Sequence, residues 1–504
     1  MKSTTVISML ENDLYKFSMS YYYQRTTPEG IGTFSFTDRN GQKFTPEFVN
    51  LLRKEFKKLE SLALTDEEFN WCLSNIYFIP QCYFEWLKGF RFNADIIDIS
   101  LDEEGHLHIE AKDLIYKVTL YEIPILSTVS EVYYGLYEKT EPDWEYIDSQ
   151  LEKKVAISNE NQLKFANFGM RRRYSHAVED HVTEYLTRNA KYFIGSSTVY
   201  FAMKYQSIRP DLKPIGTMAH ELMMATAAFM GPKEANYYVM RRWAEIYGGN
   251  MGTMLPDCFT TQVFLRNFSL DMAKLYDGVR HDSGDPFEFG DKIIAKYESY
   301  HIDPRTKSIV FSDALDFDRA LAIQKYFEGR IRVSFGIGTN LTNDVGTVEP
   351  LNIVMKLKTF QVNPRQHVYR CVKLSDTPGK ELGPSPSISS IITDSSSSVR
   401  VGCSSSSFGF IVPANALKQK EIGYSMTITN DNGLANSIAT FSACLLATVF
   451  GVISPNVSRT MSMNTVAAMT LQSPKNAANS HVHIEDARMF TRLLPTSIVV
   501  RRFS

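Results

Sequence analysis

The stretch GVRHDSGDP, residues 278–286, sets Arg280, His281, Asp282, Ser283 and Asp285 within six positions, bracketed by Gly278, Gly284 and Pro286. Two carboxylates at that spacing can take sugar hydroxyls or hold Mg2+ through water, while Arg280 can pair with an anionic ligand. A plain structural turn has little use for so many ionisable groups, and loops that carry such clusters are usually sites. FGMRRRYSH (168–176) places Arg171, Arg172 and Arg173 directly after a glycine and a methionine. Guanidinium forks match phosphate or carboxylate oxygens in pairs and stay charged when partly buried, although a solvated charge cluster has the same composition. In GIGT (336–339), Gly336 and Gly338 leave backbone N–H groups unobstructed beside the Thr339 hydroxyl, a way to cradle a phosphate monoester. The competing reading is a tight strand-to-helix turn that needs glycine for positive φ.

GTMAHE (216–221) puts His220 and Glu221 at the expected start of a helix, with Thr217 just upstream. A zinc-binding HExxH would need a second histidine four residues on; Met224 stands there, so no metal ligand is assigned. Beside the apolar run MATAAF a lone histidine is more often packed core than a reacting group, and the residues alone leave His220 open between the two. No GxxxxGK[ST] occurs, and GIGTNL has Leu341 at the third glycine of GxGxxG, so neither common nucleotide-binding loop is present. His106 and His108, two apart in HLHIEA, share one face of a strand with no third ligand nearby and read as a solvated face.

The elements that must position these groups change character along the chain. LLRKEFKKLESLALTDEEFNWCL (51–73) has helical periodicity broken at Thr65-Asp66, a good cap pair. From about residue 130 to 375 strands, turns and helices alternate: SIVFSDAL, DFDRALAIQKYFEG, RVSFGIGTNL, then NIVMKLKTF and HVYRCVKL. Such repeats predict a parallel sheet that can close into a barrel, with chemistry in the loops at the carboxyl ends of the strands. FSD, GIGT and HDSGD fall where that rule wants them. After Lys380 the composition shifts to serine runs, and only 15 of the 124 residues from 381 onward are charged. That stretch reads as a poorly ordered extension.

The whole chain of 504 residues carries 54 Lys and Arg against 56 Asp and Glu, without the basic excess that binding a phosphate backbone favours. Nucleic acid and membrane partners are not expected. The N-terminus lacks signal-peptide character, and the apolar run at 441–454 is too short and serine-bearing for a membrane span. Six scattered cysteines without CxxC spacing suit reduced thiols, so a cytoplasmic location is expected.

Taken together, NDLYKFSM (12–19), FGMRRR, GTMAHE, GVRHDSGDP, VFSDAL (310–315), SFGIGTNLTND (334–344) and KLSDTPGK (373–380) resemble nicotinate phosphoribosyltransferase, bacterial type, in order and approximate spacing over about residues 8–380. The resemblance implies an N-terminal α/β domain (1–130) packed on an irregular, TIM-like α/β barrel of the type II phosphoribosyltransferase kind (131–380), followed by an unrelated extension (381–504). It implies synthesis of nicotinate mononucleotide from nicotinate and 5-phosphoribosyl 1-diphosphate for NAD salvage, coupled to ATP, with Mg2+ and in a homodimer. By the family pattern, His220 accepts phosphate from ATP, and Tyr15 stacks on the nicotinate ring from the partner subunit. Thr217, Arg280 and Arg171 lie at the nicotinate carboxylate. Thr339, with Gly336 and Gly338, takes the ribosyl phosphate, and Asp282, Ser283 and Asp285 face ribose, diphosphate or Mg2+. The alternatives are a related enzyme of nicotinamide or quinolinate, or a catalytically silent nucleotide-binding relative.

Overall fold

The computed structural model describes residues 5–138, 141–377 and 380–381, and the backbone of 398–402, 409–413 and 427–428. Met1–Ile391 form one compact unit and Ile392–Ser504 a second. In the second unit the described backbone is three short antiparallel strands in sequence order, Ser398–Gly402, Gly409–Pro413 and Thr427–Ile428. The expectation of poor order over 381–504 otherwise lies outside the described residues.

The first unit is built on two sheets. One is antiparallel, in the order β12-β11-β1-β3-β2. It comprises β1 (Ile31–Asp38), β2 (Ile97–Leu101), β3 (Leu107–Leu114), β11 (Ile353–Gln361) and β12 (Tyr369–Arg370). The helical stretch before β2 divides as its caps dictate. Helix Pro46–Leu59 starts under the Thr45 side chain, and helix Asp66–Asn75 starts in a capping box. In that box Thr65 Oγ1 accepts from Glu68 N at 3.1 Å and Glu68 Oε2 accepts from Thr65 N at 2.8 Å. His106 and His108 do share a solvent face, and both rings contact Asp102 Oδ2 at 3.2 Å, so the hairpin carboxylate takes them up.

The other sheet has seven strands, all parallel, in the order β6-β5-β4-β10-β9-β8-β7. They are β4 (Phe165–Asn167), β5 (Phe193–Ser196), β6 (Lys213–Pro214), β7 (Thr253–Met254), β8 (Gly278–His281), β9 (Ser308–Phe311) and β10 (Arg332–Ile337). This is a cyclic order: β10 returns to pair with β4, and the ring stays open between β6 and β7, each only two residues long. Helices His220–Met230 and Pro232–Tyr247 occupy the chain between those two edge strands. The result is the irregular α/β half-barrel that the strand–helix alternation suggested.

NIVMKLKTF and HVYRCVKL depart from that pattern. β11 runs antiparallel to β1 from Ile31 opposite Gln361 to Asp38 opposite Ile353, and β12 hangs from its far edge. The connection from β10 carries only the four-residue helix Thr339–Thr342, too little for a packed parallel crossover, so the strand leaves the barrel. The chain thereby passes back from the barrel to the first sheet.

What joins the two sheets is charged and dry. Arg173 is fully buried; its Nη1 donates to Glu11 Oε2 at 2.8 Å and Glu179 Oε2 at 3.1 Å, and its Nη2 donates to Thr5 O. The third arginine of FGMRRR therefore belongs to the core, not to a ligand. Burial works against its charge, but Glu11 and Glu179 outweigh that and hold it protonated. Replacing Arg173 by Met would strand two buried carboxylates, a change that costs roughly 3–5 kcal/mol. Urea denaturation of Arg173→Met is expected to show a loss of that order at neutral pH.

Candidate functional site

A cavity of about 1020 Å³ lies between the sheets. One wall is made by groups at the carboxyl ends of the parallel strands: Phe168 and Arg171 after β4, Ser197 after β5, His220 after β6, Asp282 after β8, Ser312 and Asp313 after β9, and Gly338 and Thr339 after β10. The facing wall comes from Asp13 and Tyr15 at the start of helix Leu14–Thr26, Arg39 after β1, and Lys356 on β11.

His220 is the first residue of its helix, with Ala219 as cap. Its Nε2 lies 2.9 Å from Asp257 Oδ1 and 3.7 Å from Asp282 Oδ2. A carboxylate only accepts, so Asp257 fixes the proton on Nε2 and leaves Nδ1 with its lone pair. Among the described residues Nδ1 has no hydrogen-bond partner. Burial lowers the tendency of the ring to protonate, against the pull of Asp257. Asp257 is itself almost fully buried, and despite that burial the nearby His220 and Lys373 keep it ionised far below the usual carboxylate range. His220, Asp257 and Asp282 each offer an atom within 4.8 Å of the others, so three potential metal ligands meet, of which the sequence had marked Asp282 for Mg2+.

Glu221, buried at the cavity wall, anchors the helix start. Its Oε2 lies 2.5 Å from Lys16 Nζ, which also sits 2.5 Å from Glu122 Oε2, and Lys16 has no exposed surface. The HE pair thus divides its work: the histidine is presented to the cavity, and the glutamate ties that presentation to helix Leu14–Thr26.

The cations are distributed unusually. Arg39, Arg171, Arg172, Arg280 and Lys356 all line the cavity, and among the described residues none forms an ion pair within 4.0 Å. Arg280 Nε is buried without any partner. Burial, then the neighbouring Lys373, Arg39 and Arg171, push Lys356 down to about 8. Burial together with Arg171 and Arg39 brings Arg172 down to about 9. Like charges collected in a half-dry space without counterions are a receptor for an anion of several charges. Asp282 is held below its ordinary range although burial opposes this, because Arg280 and His220 face it.

Of the residues expected from sequence, Tyr15, Arg171, His220, Arg280, Asp282, Gly336, Gly338 and Thr339 converge on the cavity. Tyr15 lines it together with residues of its own chain. Three others do not face it. Thr217 Oγ1 donates to Thr253 O at 2.7 Å and ties the GTMAHE turn to β7. Ser283 is buried and donates to Asp257 Oδ2 at 2.6 Å. Asp285 caps helix Pro286–Ser299, accepting from Phe287 N at 3.0 Å and Glu288 N at 2.8 Å. That role was readable, since Asp followed by Pro is an N-cap with proline at the first helical position. Neither Gly336 nor Gly338 has a positive φ. A Cβ on Gly336 would meet the Phe168 ring at 2.3 Å and one on Gly338 would meet Phe168 O at 3.2 Å, so close approach explains the glycines. Sequence reading missed Asp257, Arg39, Lys356 and Lys373. The one signal for Asp257 is an isolated acid in the apolar run MLPDCF.

Over most of its length the chain is similar to proteins of one family. Residues 163–400 match the nicotinate phosphoribosyltransferase (NAPRTase) family, and residues 10–130 match the NAPRTase N-terminal domain. The chain is 39% identical over 396 residues to the nicotinate phosphoribosyltransferase of Methanosarcina mazei, covering 75% of this chain and 95% of that protein. The crystal structure of nicotinate phosphoribosyltransferase from Porphyromonas gingivalis superposes with a TM-score of 0.74 at 44% identity, covering 77% of this chain and 98% of that one. A putative nicotinate phosphoribosyltransferase from Saccharomyces cerevisiae gives a TM-score of 0.72 at 30% identity, with 78% and 98% covered.

An anion that settles among the unpaired cations raises the proton affinity of Lys356. Diphosphate binding near pH 8, where Lys356 is only partly protonated, is therefore expected to take up protons. Isothermal titration in two buffers of different ionisation enthalpy measures this, and Lys356→Met should remove most of the uptake.

Proposed function

The chain belongs to the nicotinate phosphoribosyltransferase family, and on that footing we propose that it joins nicotinate to 5-phosphoribosyl 1-diphosphate, releasing diphosphate, with ATP coupled through a transiently phosphorylated His220. The observation that carries this reading is the union, in one cavity, of five cations without ion-pair partners and an imidazole whose Nε2 is held by Asp257.

Each half of the chemistry uses groups already described. Displacement at the anomeric carbon passes through an oxocarbenium-like state while negative charge builds on the leaving diphosphate. Arg39, Arg172 and Lys356 are suited to that departing charge, and Arg171 and Arg280 to the nicotinate carboxylate. Tyr15 offers its ring to the pyridine, and Thr339 with the flanking glycines offers an unobstructed seat for the ribosyl phosphate. Asp282 is the half-buried cavity carboxylate nearest His220 and tolerates positive charge on the sugar. In the coupled step Nδ1 attacks the γ-phosphorus of ATP, ADP leaves, and later hydrolysis returns phosphate and free histidine. Asp257 accepts from Nε2 throughout and stabilises the charged ring. The phosphorylated ring brings about two negative charges beside Arg280 and Lys373, enough to shift substrate affinity and loop order.

Mg2+ suits the carboxylate Asp282, because that ion binds through one or two protein carboxylates and completes its shell with substrate oxygens. When bound it would neutralise charge on the diphosphate. Asp285 caps a helix through Oδ1 and does not line the cavity. A homodimer and a cytoplasmic location complete the proposal; among the described residues no helix is long and apolar enough to cross a membrane.

Paired arginines favour a carboxylated pyridine over nicotinamide. Quinolinate would differ by releasing carbon dioxide, and the retained His220 argues against a silent relative. Incubation with nicotinate, 5-phosphoribosyl 1-diphosphate and Mg2+ is expected to yield nicotinate mononucleotide slowly without ATP and faster with it. His220→Asn should keep the slow rate and lose the acceleration; an undiminished ATP effect in that variant would refute the role of His220.

A further inference from the structure

The motif KLSDTPGK contributes Lys373, Thr377 and Lys380 to the cavity rim, yet its aspartate, Asp376, does not line the cavity. Asp376 instead grips the loop that follows β7. Thr261 N donates to both Asp376 oxygens at 3.0 Å, and Thr261 Oγ1 donates to Oδ2 at 2.5 Å. Asp376 N in turn donates to Ser283 Oγ at 3.1 Å, Ser283 Oγ donates to Asp257 Oδ2 at 2.6 Å, and Asp257 Oδ1 holds His220 Nε2 at 2.9 Å. Lys373, three residues earlier, lies 3.8 Å from the same Asp257 Oδ2.

The backbone around this junction is held away from its preferred conformations. Thr260, β-branched and directly before Thr261, sits at φ 70° and ψ 148°, a region that is essentially glycine's. Ser375, directly before Asp376, has φ 70°, and its buried Oγ has no hydrogen-bond partner among the described residues. Conformations of this kind cost about 1–3 kcal/mol each and persist only where the surroundings over-determine them. The surroundings here are the Asp376–Thr261 link, the Leu374 N to Cys258 O bond at 2.9 Å and the Gly284 N to Thr377 Oγ1 bond at 2.9 Å. Gly284 allows the strap to lie flat, since a Cβ there would stand 3.1 Å from the Asp376 Cβ.

We propose that Asp376 is a positioning residue: by clamping the 373–377 strap onto the β7 loop it holds Ser283 and Lys373 on Asp257, and so fixes the orientation and tautomer of His220. The structural part of this stands on geometry alone, and its consequence for ATP coupling rests on the reading of His220 given above.

The test uses the full-length chain labelled with ¹⁵N-histidine, with the His220 imidazole signals identified by their absence in His220→Asn. The unaltered protein should show one tautomer with the proton on Nε2. Asp376→Ala should show mixed tautomers, and ATP stimulation of nicotinate mononucleotide synthesis should fall about 10-fold, the lower end of what supporting partners typically contribute. The KM for nicotinate without ATP should be unchanged. Asp376→Asn, which keeps one acceptor oxygen, should recover part of both effects, and it serves as the informative variant should Asp376→Ala fail to fold. An unaltered His220 tautomer in these variants overturns the proposal, as does an equal loss of rate with and without ATP. Absence of ATP stimulation in the unaltered protein would instead count against the reading of His220, while the tautomer comparison would still decide the role of Asp376.

Discussion

The cavity depends on two buried cations, Arg173 and Lys16, that hold separate stretches of chain around it. Arg173 joins the N-terminal segment, through Glu11 and the Thr5 carbonyl, to helix His176–Asn189, through Glu179. Lys16 joins helix Leu14–Thr26 to the starts of helix Glu122–Tyr133 and helix His220–Met230, through Glu122 and Glu221. Neither lock gains much net energy over well-packed apolar residues, since desolvating charges offsets most of their attraction. What they add is uniqueness of arrangement: a one-turn slip of helix Leu14–Thr26 would leave buried carboxylates without a partner. Tyr15 and Asp13 therefore face the strand ends in a fixed relation, and the two walls are spaced for a ligand.

The cavity surface carries the opposite condition. Where the core ties Lys16 and Arg173 directly to carboxylates, the cavity leaves Arg39, Arg171, Arg172, Arg280 and Lys356 without an ion pair within 4.0 Å among the described residues, and burial, reinforced by their mutual repulsion, lowers the proton affinities of Lys356 and Arg172. That repulsion is a cost of the empty state, relieved when a multiply charged anion enters. Substrate binding energy is thus prepared by the fold in advance. Acidic residues share that surface: Glu122 and Glu221 are engaged by Lys16, Asp13 accepts from Ser197 Oγ at 2.7 Å, Asp313 pairs with Lys380 at 2.6 Å, Asp316 caps a helix, and Asp282 faces Arg280.

Much of this was legible from residues in sequence, and the failures have physical reasons. FSD, GIGT and HDSGD marked three of the strand ends correctly, because loops at the carboxyl ends of parallel strands need both tight turns and polar groups. Such clusters were read too generously. Within FGMRRR one guanidinium is a core lock, and within GVRHDSGDP, Ser283 supports Asp257 and Asp285 caps a helix. A run of polar residues states that chemistry or capping occurs, but the direction of each side chain depends on the turn it sits in. NIVMKLKTF was assigned to the barrel because a strand's own pattern does not name its partner; the antiparallel register with β1 belongs to residues more than 300 positions away.

By itself the sequence determined the type of fold, the strand-end loops, the family and the identity of His220 as the central histidine, since each of these is written in local pattern and motif order. Only the tertiary structure decided that Asp257 holds the ring, that Lys356 and Arg39 from the other sheet complete a cation surface, and that Asp376 reaches His220 through Ser283 and Asp257. Those are contacts between residues far apart in the chain, each ordinary in its own context. Their meaning arises from burial, where a lone aspartate or an unpaired lysine acquires a strength it does not have in water.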